Sequence, residues 1–128
     1  MFLPCVLCLG AVGVLAIPEF LNRIPNGRLV PDPCDPGRGW ATVGHSNTWG
    51  GKHALNPFGE HFKQEGFMWT RGLCMKDSDL DGMTNGVELG DPDCKWAYGQ
   101  QAARGNISHP GIVCATTTVA PWLRHLLK

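Results

Sequence analysis

Six of the chain's eleven acidic residues fall between Asp77 and Asp93, and no Lys or Arg lies among them. Carboxylates crowded this closely repel one another in any compact state unless a cation sits between them. The order of the segment says which kind of cation. It reads Asp77-Ser78-Asp79-Leu80-Asp81-Gly82-Met83-Thr84-Asn85-Gly86-Val87-Glu88. Carboxylates stand at loop positions 1, 3 and 5, glycine at 6 and glutamate at 12, which is the template of a twelve-residue calcium loop.

Each slot has a chemical reason. Calcium is a hard ion that takes six to eight oxygens in a flexible shell. Asp77, Asp79 and Asp81 alternate so that three short carboxylates can face one point, and Gly82 permits the sharp bend that follows. Met83 is expected to offer its backbone carbonyl, Asn85 its side chain or a bridging water, and Glu88 both carboxylate oxygens. Four carboxylates around one dication favour calcium over magnesium, which keeps its own waters. Gly90 and Pro92 stop the chain soon after the loop, and no second loop exists to pair with it. Sensor loops come in pairs with a long exit helix. A single loop bracketed by Cys74 and Cys94 reads as a structural staple instead.

The rest of the chain explains why a staple is needed. Thirteen of the first sixteen residues are apolar and none is charged, and Val14-Leu15-Ala16 ends the run in small residues. The stretch is too short to span a bilayer as a helix and reads as a secretory signal cleaved after Ala16. The remaining 112 residues carry 15 Gly and 9 Pro, a composition for loops around a thin core. Cys5 and Cys8 leave with the signal. Cys34, Cys74, Cys94 and Cys114 remain in an oxidising compartment, which implies two disulfides in any of three pairings. The expected class is a small irregular α+β fold, a loop-rich, disulfide-stapled single domain with one EF-hand-like calcium loop. It would run from 17 to 114, with a tail at 115–128. Locally, residues 17–27 read as extended chain ending in an Asn26-Gly27 turn, and residues 40–44 as a short strand. A helix should open at Asn56-Pro57 and run toward Trp69, with a second over 70–76 and mostly turn and loop after Cys94. Residues 121–127 of the tail form a basic amphipathic pattern.

Charge and motif content exclude several functions. A formal net charge of zero does not suit a generic nucleic-acid binder. No second apolar run offers membrane insertion. No Gly-x-Ser-x-Gly elbow and no His-Glu-x-x-His pair is present, and the loop carboxylates are committed to the ion, so the chain reads as non-enzymatic. The alternative is a secreted copper or zinc enzyme using His45, His53 and His109, but spacings of eight between His45, His53 and His61 follow no regular element. A calcium-stabilised matrix or egg-mass protein is the other alternative. Five Trp exceed what a thin core requires, so one or two are expected at the surface for protein contacts. Asn106-Ile107-Ser108 is a glycosylation sequon on an expected loop.

The string from Asp77 to Cys94 resembles the acidic motif of the temptin family, secreted water-borne pheromone proteins of marine gastropods. Pro18 to Gly27, Val43-Gly44-His45, Asn56-Pro57-Phe58-Gly59, Ser108-His109-Pro110-Gly111 and the cysteine order resemble that family as well. The resemblance covers residues 17–114. It implies a signalling protein that joins other secreted pheromone proteins and a receptor to promote attraction and mating. It also implies the pairings Cys34–Cys114 and Cys74–Cys94, which would contribute about 4.5 and about 3 kcal/mol through chain entropy. This chain carries Leu80 where the family has glycine, and a tail beyond Cys114.

Overall fold

Phe20, Leu21 and Ile24 stand about one helical turn apart, and in the computed structural model, which describes residues 19–50 and 54–114, residues 19–22 are helical. The segment was expected to be extended. Helix prevails because it places Phe20 against two rings at once, stacked on Phe67 at 4.9 Å and edge-on to Phe62 at 6.4 Å. The Asn26-Gly27 turn ends it, with Asn26 in the left-handed region at φ 52°. The Asn26 amide then donates to the carbonyls of Leu89 (2.9 Å) and Arg104 (2.8 Å), tying the start of the domain to its far end. The expected signal at 1–16 and the tail at 115–128 lie outside the described residues.

Among the described residues, β structure amounts to two isolated bridges, Pro31 with Gly39 and His45 with Leu55. The strand expected at 40–44 does not form. Trp40 N–H donates to Val30 O, and the chain then turns on itself through His45 N–H to Thr42 O. The buried Asn56 amide takes the Val43 and His45 carbonyls at 2.7 and 3.0 Å, standing where a neighbouring strand would stand. A side chain replaces a ladder.

The same Asn56 caps helix α1 (Pro57–Gln64), accepting from Gly59 N–H at 2.9 Å, with proline in the first turn. Phe58 and Phe62 lie one turn apart on its buried face. Gly59 is obligatory, because a Cβ there would meet the Gly44 carbonyl oxygen at 2.0 Å. The helix ends well short of Trp69. Gly66 and Phe67 both adopt positive φ, and Phe67 N–H returns to Phe62 O at 2.9 Å, so the chain reverses. Helix α2 (Arg71–Met75) follows a Thr70 cap and buries Leu73 and Cys74. Helix α3 (Asn85–Leu89) follows a Thr84 cap and stops at Gly90, φ 86°. Ile24, Val30, Val43, Phe58, Phe62, Leu73 and Leu89 form the core, drawn from all these segments. Disulfides Cys34–Cys114 and Cys74–Cys94 close the loops around it.

Candidate metal centre

Short helices α2 and α3 flank the acidic loop, and Asn85 N–H to Lys76 O (2.7 Å) closes its base. The loop folds around its own carboxylates. Asp77 accepts from the N–H groups of Asp81 (3.1 Å) and Gly82 (2.8 Å), and Asp81 accepts from Met83 N–H (2.8 Å). One carboxylate oxygen from each of Asp77, Asp79 and Asp81 then lies within 4.8 Å of the others. Glu88, in the first turn of α3, lies close enough for the charges of Asp79 and Asp81 to act on it.

The electrostatics of this gathering are unfavourable as it stands. Both carboxylate oxygens of Asp79 and Oε2 of Glu88 are buried with no hydrogen-bond partner. Burial, followed by the adjacent Asp81 and Asp77, pushes the Asp79 carboxyl up to about 7. Burial again leads for Glu88, with hydrogen bonding to Asp81 and the charges of Asp79 and Asp81 behind it, and pushes its carboxyl up to about 9. A dication would invert every one of these effects. The donor set is entirely hard oxygen, which fits calcium and not a thiolate- or imidazole-seeking metal.

Not every expected ligand joins the set. Asp77, Asp79, Asp81 and Glu88 are brought together. Asn85 turns inward: its amide donates to Leu73 O and Ser78 Oγ, both at 2.8 Å, and its oxygen receives Ser78 N–H at 3.4 Å. The carbonyl of Leu73, in the last turn of α2, accepts from Lys76 N–H at 3.2 Å and takes the Asn85 amide on its second lone pair, so Asn85 serves the loop's base. Met83 gives its N–H to Asp81, and its side chain is exposed.

Three supporting residues had not been singled out by the sequence reading. Ser78 is buried and joins Asn85 to His61, whose Nδ1 lies 2.8 Å from Ser78 Oγ. Ser108 donates from Oγ to Glu88 Oε1 (3.2 Å) and from N–H to Glu88 O (2.8 Å). It is the third residue of the sequon whose Asn106 is exposed. Asp91 is a buried carboxylate of another kind. It accepts from Lys95 N–H, Trp96 N–H and the Trp69 indole N–H at 2.9–3.1 Å. Its signal was readable, since an Asp following a Gly helix stop is a turn former. Ser108 stood in the sequence as part of the sequon and of a family motif, and neither pattern marked it as a partner of Glu88.

The histidines do not assemble into a comparable group among the described residues. Trp40 stands between two of them, donating its indole N–H to His45 O and meeting the His109 ring edge-on at 5.2 Å. His109 Nδ1 accepts from the backbone N–H groups of Gly111 and Ile112, which requires the neutral ring. Burial pushes it down to about 4 against the opposing charge of Asp32. His53 lies outside the described residues. Trp49 is 82 % exposed, while Trp40, Trp69 and Trp96 are partly buried. No described helix is long and apolar enough to cross a membrane.

The family model described as Temptin C-terminal matches residues 14–112. A protein of Aplysia californica named Temptin is 50 % identical over 104 residues, spanning 80 % of this chain and 82 % of its own. No solved structure matches.

Proposed function

The chain belongs to the temptin family, and from that premise we propose that it is a secreted, non-enzymatic signalling protein of the pheromone type. In this reading it acts by contact with other secreted proteins and a receptor. The observation that carries the proposal is half-identity to the Aplysia protein over four fifths of the chain. Two disulfides fit an oxidising, extracellular setting.

The acidic centre takes a structural part. Asp77, Asp79, Asp81 and Glu88 would hold calcium, with the Met83 carbonyl as a further oxygen. Extracellular calcium is abundant enough to keep even a weak site filled. Buried, partnerless oxygens on Asp79 and Glu88 support this assignment.

Purified protein should attract or stimulate conspecific animals when combined with proteins secreted by the same gland. Inactivity in every combination would remove the signalling reading and leave a matrix protein. Elemental analysis of the same sample should find one calcium per chain. Stoichiometric copper or zinc would favour the enzyme alternative.

A further inference from the structure

We propose that the cavity between residues 20–24, the turn at 41–45 and helix α1 binds a small apolar molecule of about eight to ten non-hydrogen atoms, scaled from benzene in an apolar cavity of about 150 Å3. Its volume is about 210 Å3. Ile24, Val43, Phe58 and Phe62, all buried, form the floor. Phe20, Leu21, Leu55 and Phe67 stand around the rim, partly exposed.

The chemistry of the lining selects the ligand class. No described lining residue carries an acidic or a Lys or Arg side chain. Thr42 commits its hydroxyl proton to Asn47 O, and His45 already has a partner within the protein. A polar ligand would therefore give up its hydration for little return, whereas a hydrocarbon surface gives up nothing.

The cavity also needs a reason to persist. Apolar lining left in contact with water is costly to a domain whose core has seven residues. The backbone contact of Gly44 with Gly59 fixes the 41–45 turn over α1 and so holds the two walls of the cavity in place. An occupant would cover that lining. None of the described lining residues belongs to the acidic loop, so the inference rests on neither calcium nor the signalling role.

Butylbenzene is a suitable probe, titrated into the full secreted protein in calcium and followed by amide NMR. Saturable shifts confined to residues 20–24, 41–45, 55, 58–62 and 67 are expected, with a Kd on the order of 0.1 mM for so few atoms. Ala41 is exposed at the rim, so Ala41→Trp should block entry from the solvent side and weaken binding at least about tenfold. Leu55→Phe narrows the same mouth if the tryptophan variant does not fold. Shifts that grow linearly without saturating, that map away from the cavity lining, or that persist in a folded blocking variant would overturn the proposal.

Discussion

Asp79 and Asp91 stand twelve residues apart on either side of α3, and the protein treats them in opposite ways. Asp91 is 3 % exposed and surrounded by N–H donors from the turn after α3 and from Trp69. Asp79 offers two buried oxygens, neither with a hydrogen-bond partner. Burying a carboxylate is tolerated only where something replaces water. The Asp91 corner replaces it with the chain's own amides. The acidic loop supplies no such donors, and in the proposed reading a cation held among Asp77, Asp81 and Glu88 takes their place.

The sharpest way to break this contrast is to remove each carboxylate in turn. Asp91→Ala strands the Lys95 and Trp96 amides and the Trp69 indole, three donors that lose a charged acceptor. About 4 kcal/mol of stability should disappear, in calcium and in chelator alike. Urea denaturation under both conditions measures it. A loss confined to calcium would place Asp91 in the metal centre and dissolve the distinction.

Chelation is the next largest test. If the working calcium concentration is about a hundred times Kd, removing the ion lowers stability by about 2.7 kcal/mol, a fall in Tm of roughly 10 °C or more for a domain of this size. The pH dependence should change sign with it. Without the ion, Glu88 and Asp79 have folded values of about 9 and about 7, above those of an unfolded chain. The ion-free fold binds more protons than the unfolded chain, so that contribution is complete below about pH 4 and is lost as pH rises toward 9. With calcium bound, the carboxylates are held ionised and the alkaline loss should vanish. Melting curves between pH 5 and 9, with and without chelator, decide this; parallel curves would mean that these side chains hold no ion.

Much of this region was readable in advance because its chemistry lives at fixed spacing. The loop carboxylates, Gly82, the Asn56-Pro57 helix start and the Gly90 stop are all local patterns, and short-range physics enforces them. What was not readable depends on distant partners. Residues 19–22 are helical because Phe62 and Phe67 wait to receive Phe20. The 40–44 strand is missing because side chains take its carbonyls, Asn56 that of Val43 and the Trp40 indole that of Thr42. Asn85 satisfies the ligand template, yet it faces Leu73 and Ser78, partners set by the end of α2 and invisible to any loop motif.

Asp79→Asn sharpens the comparison through opposite signs. In chelator it removes a buried charge beside Asp81 and Asp77, so stability should rise by about 1 kcal/mol. In calcium it removes a ligand and should lower stability by about 2 kcal/mol. Asp91 has no such reversal available. A variant destabilised equally in both conditions would show that Asp79 serves the fold as Asp91 does.

The smallest expected effect lies one residue further on. Leu80 is 87 % exposed and sits at φ 58°, in the left-handed region. Its side chain gains little from burial to offset that conformation, which disfavours a non-glycine residue by about 1–2 kcal/mol. Glycine adopts it freely but loses more entropy on folding, about 0.5–1 kcal/mol. Leu80→Gly should therefore stabilise the protein by about 0.5–1 kcal/mol. The gain should be at least as large in chelator, because the strain belongs to the backbone and not to the ion. A loss in chelator would show that Leu80 makes a contact that holds the empty loop in shape. The loop would then be partly organised by its own apolar side chain, and its difference from the Asp91 corner would be one of degree.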